Sequence, residues 1–246
     1  MYPAEFAQVY DQLMDDFDYP AWAAHYLALA ARAGCARPLS LCECGCGTGS
    51  MAIEWAKMGL RVTGIDLSGD MLRAAQEKAR AAGVMVPFIC QDMCALTLPR
   101  PVDAIFCPCD GLNYLVELDR VRAFFGRAHA FLKPGGVLAF DVSTAHKLLN
   151  MGDAPYFEDR PDISYFWKNR VVDQLVTMDL TFFRRRPGGL YKRFDERQVQ
   201  RAHTQAELVA ALADAGFCAV QVFGERTLDA PAKDATRIHL LAKRAG

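Results

Sequence analysis

Three short stretches combine residue types and spacings that could do chemistry. The first is Glu43-Cys44-Gly45-Cys46-Gly47-Thr48-Gly49. Glycines at alternate positions let a chain turn sharply and approach a ligand with no Cβ in the way. The second is Asp66, 17 residues after Gly49, at the end of the apolar run Arg61 to Asp66. A carboxylate there can accept hydrogen bonds from both ribose hydroxyls of a nucleoside, or simply open the next helix beside Ser68. The third is Gln91-Asp92-Met93, whose acid can accept from an exocyclic adenine amine or sit as a solvated turn residue. No Gly-Lys-Ser/Thr occurs, so there is no P-loop. A dinucleotide fingerprint wants its third small residue at position 50, and Ser50 does not strictly exclude it. Gly49 fits a different nucleoside cofactor better.

These stretches need elements to hold them at one edge. Pro20 to Arg32 reads as a helix, with proline in its first turn and Gly34 beyond its end. Leu39 to Cys44 is a short strand, and a helix runs from the glycine loop to about Met58. Arg61 to Asp66 is a second strand. Ser68 caps a helix that ends before Gly83. Val86 to Gln91 and Val102 to Cys107 are strands three and four. Leu118 to Leu132 is helical by apolar spacing. Lys133-Pro134-Gly135-Gly136 is read as a turn, and Val137 to Val142 as strand five. Alternating strands and helices predict an α/β fold with a doubly wound, mostly parallel, Rossmann-like sheet. Its ligand edge lies beyond the strand C-termini.

The pattern changes after Ser143. Ile163 to Arg170, Gln174 to Phe183 and Tyr191 to Arg201 read as three strands of an inserted antiparallel β-sheet, with Pro187-Gly188-Gly189 turning between the last two. Arg184-Arg185-Arg186 beside that turn reads as a solvated hairpin end. Thr204 and Glu207 form a capping box for a helix ending at Gly216. Phe217 to Phe223 and Arg237 to Lys243 are two closing strands. The expected organisation is residues 1–144 with 203–246 as the cofactor-binding domain, and 145–202 as an insert covering the acceptor site.

Composition sets outer limits. The chain has 246 residues, 52% hydrophobic and 23% charged, with a formal net charge of −1. That suits a folded chain with a sizeable core and argues against a nucleic-acid or anionic-membrane partner. No targeting segment is apparent at the N-terminus, and a cytoplasmic location is expected. The nine cysteines lie mostly in or beside apolar strands. Cys42, Cys44 and Cys46 lack the two-residue gap of zinc knuckles. Reduced, mostly buried thiols and no metal are expected.

Taken together, Glu43 to Gly49, Val62 to Ser68 with Met71-Leu72, Gln91-Asp92-Met93 and Leu132 to Gly136 resemble the S-adenosylmethionine-binding motifs of class I methyltransferases. Tyr10-Asp11, Cys109 to Leu115, Leu180 to Phe183 and Gln200 to Thr204 extend the resemblance to a small bacterial subgroup with a β-rich insert. The resemblance implies a seven-stranded sheet of order 3-2-1-4-5-7-6 with its last strand antiparallel, and S-adenosyl-L-methionine as cofactor. It implies that Gly45, Cys46, Gly47 and Gly49 line the methionyl part, within a loop opened by Glu43, where aspartate is commoner. Asp66 takes the ribose, Leu67 and Met71 flank the adenine, and Asp92 and Met93 meet its edge. Cys109 lies beside the cofactor, and Tyr10 and Trp22 close over it.

Methyl transfer is an in-line displacement at a sulfonium, for which alignment can be worth about 7–11 kcal/mol. A protonated O- or N-nucleophile also needs a route for its proton. Candidates are Asp110, Asn113 and Tyr114 after strand four, with Tyr114 equally readable as packing. His203 is a further candidate, or else a strand-end residue bonded to backbone. The expected acceptor is a small molecule, reached between the strand-four loop and insert aromatics such as Tyr165, Trp167 and Phe183. The chain is expected to be a monomer or homodimer. An NAD-dependent oxidoreductase and a non-catalytic S-adenosylmethionine-binding module are the alternatives.

Overall fold

The computed structural model describes residues 4–36 and 38–246. Two helices, α1 (Ala4–Leu13) and α2 (Tyr19–Arg32), precede the first strand. Next come β1 (Ser40–Cys44), α3 (Ser50–Lys57), β2 (Arg61–Asp66), α4 (Gly69–Ala81), β3 (Phe88–Cys90), β4 (Val102–Cys107), α5 (Leu118–Phe131) and β5 (Leu132–Ser143). After α6 (Ala145–Leu149), strands β6 (Tyr156–Asp159), β7 (Ile163–Val172), β8 (Leu175–Arg185) and β9 (Tyr191–Arg201) build a second sheet. Helix α7 (Gln205–Asp214) and strands β10 (Phe217–Gly224) and β11 (Arg237–Arg244) return to the first.

The first sheet runs β3-β2-β1-β4-β5-β11-β10. Strands β1 to β5 are parallel, and β11 lies antiparallel to both β5 and β10. This is the expected Rossmann-like order with an antiparallel last strand. Helices cover both faces. Cys42, Cys44, Ile105, Phe124, Phe125, Phe140 and Leu240 fill one side. Trp22, Tyr26, Leu29, Trp55, Phe106 and Leu241 fill the other. Side-chain caps start the helices where the sequence placed them. Ser68 Oγ accepts from Met71 N–H at 3.3 Å, and Thr204 with Glu207 completes the capping box.

Several elements, α6 among them, differ from expectation. Helix α1 was not anticipated, although Phe6, Val9, Tyr10 and Leu13 follow helical spacing. The insert has four strands, not three; β6 is a four-residue edge strand with two acids, too short and polar for an alternation signal. The Lys133–Gly136 stretch is the start of β5 rather than a separate turn, and the β4–β5 register shifts there. Gly136 is packed so tightly that a Cβ would lie 2.9 Å from the Lys133 carbonyl and 3.0 Å from that of Asp103.

Helix α1 joins the two sheets. Phe6 and Val9 pack with Met178, Phe182 and Met71, and the Phe6 and Phe182 rings lie 5.7 Å apart. Asp11 receives Lys78 of α4 at 2.5 Å and the Thr48 hydroxyl at 2.6 Å. Lys192 of β9 reaches Glu5 at 2.6 Å.

Gly49 is a demanding position in this frame. It precedes α3 with φ +75°, and a Cβ there would meet the Phe88 ring at 2.7 Å and Ala75 Cβ at 2.9 Å. Overpacking of this kind costs about 1–3 kcal/mol, before the added strain of a left-handed non-glycine residue. Gly49→Ala should therefore lower the urea midpoint, with a loss of unfolding free energy of at least that size. An unchanged midpoint would show that Phe88 moves aside freely.

Candidate active site

The C-terminal ends of the parallel strands open onto a cavity of about 550 Å³. Its floor comes from the loops after β1, β2, β3 and β4. Its roof comes from α1 and the second sheet.

Of the expected cofactor residues, Tyr10, Gly45, Gly47, Asp66, Leu67, Met71, Asp92, Met93 and Cys109 line this cavity. Gly45 and Gly47 have φ of +70° and +52°. A Cβ on Gly47 would meet no atom within 4 Å, so the glycine edge faces open space. The Asp66 carboxylate accepts from Gly47 N–H and Ser68 N–H, each at 2.8 Å. Burial raises its pKa, partly offset by these backbone donors. Asp92 accepts from Cys94 N–H at 2.9 Å and from Arg120 at 2.7 Å. Burial opposes its charge, but these donors outweigh burial and lower its pKa.

Four expected contacts point elsewhere. Cys46 is buried, and a Cβ on Gly64 would lie 2.9 Å from its Sγ; the thiol packs under the loop. Gly49 is committed to packing Phe88 and Ala75. Glu43 is 2% exposed, and burial pushes its carboxyl well above the ordinary range. Trp22 is buried beside Phe17, His239 and Arg237, in the wall of a separate surface groove.

The acceptor-side candidates divide similarly. Asp110 and Tyr114 line the cavity, whereas Asn113 and His203 do not. Asn113 is fully buried, and its amide bonds Ser143 on both backbone groups and the Arg201 carbonyl. It pins the stretch after β4 to β5 and β9. His203 sits 3.0 Å from the Leu115 carbonyl, and burial lowers its pKa to about 4. Burial favours its neutral form, and its Nε2 meets backbone rather than the cavity. Tyr114 donates to Gln198 of β9 at 2.9 Å. Asp110 is engaged by Arg237 at 2.8 Å and Gln200 at 2.7 Å.

Behind this stretch stands Asp141 of β5, a residue the sequence did not single out. It is completely buried. Its carboxylate accepts from the Tyr26 hydroxyl at 2.6 Å, Cys109 N–H at 2.7 Å, Asp110 N–H at 3.0 Å, and the Arg237 guanidinium. Burial works against its charge, yet Arg237 and the hydrogen bonds hold its pKa below the usual value. Cys109 and Asp110 both adopt left-handed backbone, with φ of 57° and 50°. The cavity roof adds Tyr165, Trp167 and Leu180. Phe183, expected with them, lies on the opposite face and packs against Phe166.

A methyltransferase-domain family model matches residues 41–136. A protein of Geobacillus sp. (strain WCH70), assigned as a methyltransferase, is 35% identical over 97% of this chain and 98% of its own length. The chain belongs to the class I S-adenosylmethionine-dependent methyltransferases. YqeM of Bacillus subtilis (strain 168), likewise assigned as a methyltransferase, is 34% identical over 98% of this chain and 96% of its own. The crystal structure of an S-adenosylmethionine-dependent methyltransferase from Clostridium acetobutylicum ATCC 824 is 30% identical, with a TM-score of 0.88 and 98% of each chain covered. The methyltransferase cofactor is S-adenosyl-L-methionine, and the residues present fit it. The open face of Gly47 admits a close ligand, and Asp66 and Asp92 place acceptors along the same wall. No group of three or more metal-ligating side chains occurs among the described residues. None of their helices is long and apolar enough to cross a membrane.

Two outcomes test this site. Asp66→Ala should weaken S-adenosylhomocysteine binding by about 1.5–3 kcal/mol, as loss of charge-assisted hydrogen bonds does. Calorimetry showing unchanged affinity would remove Asp66 from the cofactor wall. The second outcome concerns pH. His203 and His239, both buried, have pKa values lowered to about 4, while an unfolded histidine titrates near 6.5. Their stabilisation is therefore complete above about pH 6.5 and lost as pH falls toward 4, by up to ~1.4 kcal/mol per pH unit for each ring. Urea unfolding between pH 7 and 5 should show this slope, and the His203→Gln/His239→Gln double variant should flatten it. An unchanged slope in that variant would mean that the rings titrate alike in the folded and unfolded states.

Proposed function

We propose that this methyltransferase acts on an oxygen or nitrogen nucleophile of a small molecule. The acceptor enters between the stretch after β4 and the inner face of the second sheet. The observation that carries this reading is the single cavity that has Gly45, Gly47, Asp66 and Asp92 on one wall and Tyr114, Tyr165, Trp167 and Leu180 on another. Its volume lies within the range of pockets for small ligands, and the cofactor must share it. The acceptor portion is therefore modest in size. The net charge of −1 offers no electrostatic support for a polyanionic acceptor.

The bound cofactor supplies an electrophilic methyl group. The chain's own part is to fix the two partners. Asp66 would accept hydrogen bonds from the ribose, Asp92 would meet the adenine edge, and the glycine wall would let the methionyl part approach the backbone. Asp141 and Arg237 hold Cys109 and Asp110 rigidly against that wall. Tyr114 and Gln198 bridge the stretch after β4 to the roof. The aromatic roof shields one side of the reacting atoms from water. His203 is neutral and turned to backbone, while Asp110 is held by Arg237 and Gln200. Alignment thus contributes most of the acceleration, and the acceptor's proton leaves to solvent.

The reading is tested by incubating the protein with methyl-labelled S-adenosylmethionine and a bacterial extract. Label should appear in the fraction of small molecular mass and depend on the protein. Label transferred chiefly to protein or nucleic acid would overturn the small-molecule reading.

A further inference from the structure

The inner face of the second sheet places a carboxylate in the cavity with no hydrogen-bond or ion-pair partner among the described residues. Cross-strand register puts Trp167 of β7 opposite Leu180 of β8, and Leu180 opposite Glu196 of β9. Directly opposed residues share a face, so these three side chains form one lateral row. All three line the cavity. The neighbouring row holds Tyr165, Phe182 and Phe194.

Every other charged residue lining the cavity is already engaged. Asp66 holds two backbone N–H groups. Asp92 and Arg120 pair at 2.7 Å. Asp110 is held by Arg237 and Gln200. Arg197 pairs with Asp179 at 2.5 Å. Glu158, the other carboxylate on the inner face, is occupied by Tyr156, Tyr165 and Arg160. Glu196 makes no hydrogen bond or ion pair with any described residue. It is half-buried beside apolar and aromatic walls. Burial raises its pKa.

We propose that Glu196, in one row with Trp167 and separated from it by Leu180, is a subsite for an ammonium or guanidinium group on the acceptor, and so a determinant of acceptor choice. A carboxylate among aromatic rings is the arrangement that recognises organic cations. Glu196 lies four residues before Gln200, the residue that contacts Asp110. At ~3.3 Å per residue that is about 13 Å along the strand. The cationic group is therefore a handle separated by several bonds from the atom that is methylated, and Glu196 acts in binding rather than on the reacting atoms. The inference rests on reading this cavity as the acceptor site.

The test uses three probes of one chain length, titrated into the S-adenosylhomocysteine complex: 6-aminohexan-1-ol, hexane-1,6-diol and 6-hydroxyhexanoate. The aminoalcohol should bind at least tenfold tighter than the diol, and the carboxylate weakest. Glu196→Gln should erase the difference between aminoalcohol and diol while leaving S-adenosylhomocysteine affinity within twofold. Glu196→Lys should make the carboxylate the preferred probe. Equal affinity for aminoalcohol and diol in the unaltered protein, including affinity too weak to measure for both, overturns the proposal. So does a preference that survives in Glu196→Gln. These outcomes are independent of the labelled-methyl experiment. Label in macromolecules would refute the small-molecule reading without touching the probe series, and a flat probe series would refute the subsite alone.

Discussion

The geometry of the site depends on one buried carboxylate. Asp141 gathers a phenol from α2, two backbone N–H groups from the stretch after β4, and a guanidinium from β11. Two consecutive non-glycine residues in left-handed backbone cost of order 1–3 kcal/mol each. Cys109 and Asp110 keep that conformation because their N–H groups point at a fully desolvated anion. Such an anion is tolerable only when its lone pairs are filled and a counter-charge is at hand. Arg237 meets the second condition and also grips Asp110, so backbone and side chain of the same residue are fixed from one centre. Gln200 then carries the constraint into the second sheet.

Much of this was legible in the sequence, for reasons that differ by residue. The glycine loop, Asp66 and Asp92 could be read because backbone geometry and cofactor chemistry constrain a few adjacent positions. The parallel, doubly wound sheet followed from the alternation of elements, and its strand order from the resemblance. Gly49 shows the limit of that reading. It belongs to the motif, yet its φ and the Phe88 ring explain its presence through packing. Asn113 and His203 look like chemistry in a sequence because amides and imidazoles serve both catalysis and backbone satisfaction. Only their burial and partners separate the two. Asp141 left no signal at all. It is a single acid at the end of an apolar strand, and its donors lie from 31 to 115 positions away.

Helix α1 is a joint between the two sheets. Its apolar side packs with the inner face of the second sheet, and Asp11 ties it to α4 and to the glycine loop. Tyr10 on the same helix lines the cavity. The side chains that secure the joint therefore also shape the cavity between the cofactor wall and the roof.

The register of the second sheet is unbroken from β7 through β9. Along each strand the side chains alternate between the cavity and solvent, so a shift by one residue exchanges the two faces entirely. Losing or gaining a single residue within β8 or β9 would carry Leu180 or Glu196 to the outside and bring residues such as Asp179 or Asp195 in. Changes that keep this register can reshape the inner face only by exchanging side chains at every second position of these strands. Changes of length are confined to the turns that join them.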